Sequence, residues 1–220
     1  WKACRDFIGS APSALDYILP EAYLGTPLED TQKEVIREHM RTFTPDAMIP
    51  YDGLVYVERT LPSGAIRTGI VGKLDLEAYD YTKGSRSPIR ATEETVLERI
   101  PPRCRIREEA AIELPHILVL VDDAALFAML RDTRDTLATL YDCALMEGGG
   151  HIHGYAVTGA VLARTMEEIV AYEAAHADGV IYAMGDGNHS LAAAKAHYEN
   201  LKKSLGDAAK AHPARYALCE

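Results

Sequence analysis

A mixed α/β fold, of the α+β kind, is predicted by three observations. Residues 52–76 carry the β-branched pattern of a hairpin. From residue 114 onward, apolar strand-like runs alternate with helical patterns. Near the end, a short apolar run at 179–183 passes through Gly185-Asp186-Gly187-Asn188-His189-Ser190 into a long, one-sided helical pattern. A hairpin followed by alternating strands and helices points to a sheet packed with helices.

The elements follow in chain order. Residues 13–19 read as a short helix or turn ahead of Pro20, and residues 28–42 as a helix capped by Asp30 or Thr31. These form a helical N-terminal arm, 1–50, before a main domain, 51–220. Strands are expected at 53–60 and 65–76, joined by the turn Leu61-Pro62-Ser63-Gly64. Residues 91–99 predict a short helix with Thr92 as its cap, ended by Pro101-Pro102. Residues 114–123 read as a buried strand with acids at its end, and 124–141 as helical. Gly148-Gly149-Gly150 breaks the chain before a strand at 151–157. A helix at 165–177, a strand at 179–184 and a helix at 189–204 complete the pattern. The chain starts at Trp1 and ends inside a strand-like run, so the main domain is expected to continue in a longer protein.

Composition narrows the function classes. The chain is 220 residues long and 48% hydrophobic, enough for a packed core. A net charge of -10 argues against broad contact with a nucleic-acid backbone, though not against a local anion site. Cys4, Cys104, Cys143 and Cys219 are scattered, with no Cys-x-x-Cys pair, so a zinc knuckle is not expected. A reduced, cytoplasmic setting follows from the same scatter. No apolar run approaches a membrane span, so no membrane partner is expected.

The segment Gly185 to Ser190 carries the most chemistry. Its glycines allow a sharp turn and close approach of a ligand to the backbone. Asn188, His189 and Ser190 fall at the start of the helix, with Leu191, Ala194, Tyr198, Leu201 and Leu205 as its apolar stripe. Free amides and the helix dipole at that point suit an anion. Asp186 would repel an anion unless it holds Mg²⁺ shared with phosphate or takes a proton from a hydroxyl. His189 has the chemistry to donate to phosphate or move a proton. The plainer alternative is that Asp186 and Asn188 only cap the helix and His189 is a satisfied interior residue.

Several segments resemble a known family. They are Tyr79-Asp80-Tyr81-Thr82-Lys83-Gly84-Ser85-Arg86-Ser87-Pro88-Ile89-Arg90-Ala91-Thr92-Glu93, Leu97-Glu98-Arg99-Ile100-Pro101-Pro102-Arg103, Glu113-Leu114-Pro115-His116-Ile117, Gly149-Gly150-His151-Ile152 and the Gly185 segment. Together they resemble the domain-of-unknown-function family 1015, which implies no established activity. The Gly-Asp-Gly-x-His segment is also similar to one in the ParB, sulfiredoxin and free-serine-kinase superfamily. That similarity implies a ParB-like mixed-sheet core and phosphate and metal contacts at Asp186, Gly187, Asn188 and His189. The match departs at Ser190, where those relatives carry arginine, so the phosphate charge must be answered elsewhere. Lys83, Arg86 and Arg90, beside Ser85 and Ser87, are a local cationic cluster suited to that task. Glu93 is then a candidate base or metal ligand. The alternative is a solvated basic loop paired with Glu93, Glu94 and Glu98.

Other candidates are weaker. His151 and His153 alternate onto one strand face, but no third metal ligand is evident. His151, next to three glycines, is better read as a ligand-pocket residue. His116 reads more readily as core than pocket, and Asp122-Asp123 as a helix cap more readily than a metal site. The resulting expectation is a nucleotide- and Mg²⁺-dependent phosphotransferase acting on a small hydroxylated metabolite, serine-kinase-like, with ATP/ADP as its nucleotide. Asp186, Glu93 and His189 would be catalytic, Asp186 holding metal. Lys83, Ser85, Arg90, Gly187, Asn188, Ser190 and His151 would bind ligand. The alternative is a non-catalytic nucleotide- or anion-binding regulatory module. A DNA-associated switch is the least favoured, given the acidic charge.

Overall fold

The computed structural model describes residues 1–220 apart from Glu109 and Asp178, and apart from the side chains of Glu21 and Ala47. The fold is mixed α/β. Helices α1 (Lys2–Ile8) and α2 (Glu29–Arg41) precede strands β1 (Leu54–Thr60), β2 (Ile66–Asp75) and β3 (Ile89–Arg90). Then come α3 (Ile100–Arg107), β4 (Leu118–Leu120), α4 (Ala124–Thr133), β5 (Thr139–Ala144) and β6 (His151–Val157). The chain closes with α5 (Gly159–Ala175), β7 (Tyr182–Asp186), α6 (Asn188–Leu205) and β8 (Tyr216–Cys219).

Among the described residues the strands form two sheets. One is antiparallel with order β5-β6-β1-β2-β8; the other is β3-β7-β4. β3 runs parallel to β7, and β4 antiparallel to it. The two sheets meet along β4 and β8. The Val119 amide donates to the Glu220 carbonyl at 2.8 Å, and the Glu220 amide donates to the Ile117 carbonyl at 2.9 Å. This join satisfies backbone groups that a free strand edge would leave open.

Alternation assigns the faces of the larger sheet. Tyr56, Tyr155 and Val157 point to one face and pack against Leu126, Met129 and Leu130 of α4, with Val161 and Ile169 of α5 at the margin. Val55, Val57 and Arg59 point to the other. A second core gathers Tyr79, Ile89, Ile117, Met184, Leu191 and Tyr198 between the smaller sheet and α6. α3 lies on α6 through Ile100 and Cys104 against Ala192 and Ala193. Small side chains there let the helices approach closely.

Some expectations change. Residues 91–96 are not helical, because the Thr92 hydroxyl expected as a cap and its neighbour Thr95 bind elsewhere. Thr92 donates to the Met184 carbonyl at 2.7 Å, and the Thr95 hydroxyl accepts from Asn188 at 3.1 Å. Pro101-Pro102 starts α3 rather than ending a helix, since first-turn amides need no intrahelical acceptor. The helix expected to run to 141 stops with α4 at Thr133, and residues 139–144 form edge strand β5. The strand expected at 114–123 shrinks to β4, since Asp123 turns to cap α4, accepting from the Leu126 amide at 3.0 Å. α2 starts without a side-chain cap, and Asp30 sits in its first turn, where its charge suits the helix dipole.

Candidate functional site

β7 ends at Asp186, and α6 begins two residues later. The chain turns at Gly187, whose φ of 79° is left-handed. A side chain there would be strained and would place its Cβ 3.1 Å from the Ile117 Cα. The Asp186 Oδ1 accepts from the Gly187 amide at 2.6 Å. The side chain of Asp186 therefore organises the turn without capping α6, whose start has no side-chain cap. Asn188, His189 and Ser190 form the first turn of α6, as anticipated. Asn188 is buried; among the described residues its Oδ1 has no hydrogen-bond partner, although its amide nitrogen donates to Thr95.

The segment 92–96 lies against this first turn. The Val96 amide donates to His189 Nε2 at 3.1 Å, so the ring proton belongs on Nδ1. Nδ1 lies 4.0 Å from the Glu93 carboxylate. Burial lowers the His189 pKa, with the Arg99 and Arg103 charges adding to it and Glu93 opposing. The imidazole is thus held neutral, with one nitrogen already engaged by backbone.

Lys83, Ser85 and Arg90 do not join this group. β3 runs parallel to β7, so the loop before β3 lies by the start of β7 and the segment after β3 by its end. The Arg90 guanidinium donates to the carbonyls of Ser87 at 3.2 Å and Gly179 at 3.1 Å. The Ser85 hydroxyl accepts from the Ser87 amide, within its own loop. His151 is likewise elsewhere. It pairs with Thr60 across β1 and shares the face of Tyr56 and Tyr155, and its Nε2 lies 2.9 Å from Asp142. His153, on the same face, bonds Tyr155 and Thr139. Among the described residues no group of three or more His, Cys, Asp or Glu is placed to hold a metal ion.

A cavity of about 410 Å³ opens on the other face of the larger sheet. Arg59, Arg67 and Tyr141 line it from the sheet, His116 and Asp186 from the β4–β7 side, and Glu220 from beyond β8. Its size is that of a small-molecule site. Asp186 thus faces two arginines that the sequence reading passed over. One signal was available. Arg59 and Arg67 are equidistant from the Leu61–Ala65 turn, and the hairpin register pairs them directly. His116, read as core, is exposed at the cavity instead.

The fold and cleft define a mixed α/β protein with a polar pocket lined by Asp186, two residues before the start of α6. The chain belongs to the family described as protein of unknown function (DUF1015), whose model matches residues 1–220. No curated protein and no solved structure matches it.

Proposed function

We propose that this cleft binds a phosphate-bearing small molecule and that the chain catalyses nucleotide- and Mg²⁺-dependent phosphoryl transfer to a small hydroxylated metabolite. The observation that carries the reading is Asp186 at the rim of a cavity that also holds Arg59 and Arg67. Phosphoryl transfer needs little beyond positioning and neutralised charge, which these groups supply.

Asp186 is the residue placed to hold Mg²⁺. One oxygen is taken by Gly187, and among the described residues Asp186 belongs to no group of three or more metal-ligating side chains. That fits an ion bound through one carboxylate and the ligand's own phosphates rather than a standing protein cage. When bound, the ion would spread the phosphate charge. The arginines hold phosphate, and the first-turn amides of Asn188, His189 and Ser190 stabilise negative charge at the helix start. Glu93, exposed beside His189, is the base for the substrate hydroxyl. Lys83, Ser85, Arg90 and His151 have no part in this scheme, because the loop before β3 lies by the start of β7, away from Asp186, and His151 lies on the opposite face of the larger sheet.

Calorimetry with ATP and ADP, with and without Mg²⁺, tests the proposal. Binding that strengthens with Mg²⁺ and weakens in Asp186→Ala is expected, with ADP released in the presence of a hydroxylated substrate. Absence of nucleotide binding in all conditions would sink it. The second reading is a non-catalytic anion-binding module, for which the two arginines lining the cavity suffice. It predicts binding without product.

A further inference from the structure

We propose that Arg59, backed by Arg67, binds an oxyanion group of a small ligand, phosphate or carboxylate, and that Glu220 is a built-in competitor for that group. This deepens the reading above by naming the ligand's anchor and what tunes it, and it rests on the same cleft.

Arg59 and Arg67 stand directly opposite each other on β1 and β2. Like charges at opposed positions weaken a sheet, so the pair needs a counter-charge. Only one arginine has it. Arg67 lies 3.1 Å from the Glu220 carboxylate. Glu220 reaches this position because Gly69, on the same face of β2, has no side chain. A Cβ there would fall 2.7 Å from the Glu220 Cγ and Oε1. The Arg59 side chain has no ion pair or hydrogen bond among the described residues, and its Nε is buried without a partner. The Nε of Arg67 is also buried and unpartnered.

Two guanidinium groups therefore flank a small-molecule-sized cavity with donors unanswered. A planar fork of donors matches the two oxygens of a carboxylate or phosphate. Val57, Val71 and Ile152 line the same cavity, so the charges meet in a partly apolar setting where attraction is strengthened. An incoming anion at Arg59 sits near Glu220 and must share Arg67 with it. Replacing that carboxylate by a neutral amide removes the repulsion while keeping an acceptor for Arg67.

The full chain is titrated by calorimetry at low salt with inorganic phosphate and, separately, with acetate. Saturable binding of at least one is expected, and whichever binds identifies the group. Arg59→Ala weakens it about tenfold or more, and Glu220→Gln tightens it. Arg59→Lys keeps the charge without the fork and is expected to bind more weakly than the native chain. No saturable binding of either anion overturns the proposal. So does wild-type affinity in both Arg59 variants, or weaker binding in Glu220→Gln. Anion binding that depends on Arg59 without nucleotide turnover keeps this site and removes phosphoryl transfer. Turnover that is indifferent to Arg59 does the reverse.

Discussion

The two faces of the larger sheet are built from the same strands yet treat polar groups in opposite ways. On the α4–α5 face, the polar side chains around the Tyr56–Tyr155 stack have partners. The Tyr56 hydroxyl donates to Glu58 at 2.9 Å, and Arg134 donates to the same carboxylate at 3.0 Å. His153 bonds Tyr155 and Thr139. On the cleft face, Arg59 stands opposite Arg67 with buried donors unanswered, and glycines replace bulk at Gly69 and Gly154. The Tyr141 ring occupies the space over Gly154, where a Cβ would lie 2.2 Å from its Cζ. A face built for stability closes its hydrogen bonds; a face that leaves cations open is built to receive something.

That contrast predicts unequal responses to substitution. Tyr56 is fully buried and stacks on Tyr155 with ring centroids 5.9 Å apart. Tyr56→Ala is expected to cost roughly 3–5 kcal/mol in urea denaturation. A smaller loss would mean that the α4–α5 face is not the stabilising one. Next is a pH effect on α6. Burial lowers the pKa of both His189 and His197, so the unfolded chain binds their protons first. Stability is then full above the ordinary histidine value of 6.5 and falls as pH drops toward the folded pKa values. Melts at about pH 7.5 and about pH 5 should show that fall, and His189→Gln, which keeps an acceptor for Val96, should reduce it. An unchanged slope would place His189 in a more solvated setting than its contacts indicate. The smallest effect is expected on the cleft face. Arg59→Met should change stability by no more than about 0.5 kcal/mol, because it removes one member of a like-charged pair. A large loss would make Arg59 a structural residue and erase the difference between the faces.

Much of this architecture was legible in local pattern. The β1–β2 hairpin, strand β6 after its glycines and the start of α6 fall where periodicity and turn chemistry placed them. The errors came where long-range partners outbid local ones. Thr92 looked like a cap and instead bonds the end of β7. Residues 139–141 looked like the end of a helix and instead belong to β5, which pairs with β6. The candidate site divides in the same way. Asp186, Gly187, Asn188 and His189 could be picked out because a strand–turn–helix junction is a local event. Lys83 and Arg90 matched by charge, but parallel pairing of β3 with β7 put their loop at the wrong end of the strand.

By itself, then, the sequence determined the hairpin, the glycine turn and the helix that opens onto an anion-suited terminus, since these depend on backbone preference and on the side chains of neighbours in the chain. Tertiary structure alone decided which cations face that turn. Arg59, Arg67 and Glu220 converge there through strand register, sheet face and the edge-to-edge join of β8 with β4. Each is a consequence of hydrogen bonding between segments far apart in sequence, which no local window contains.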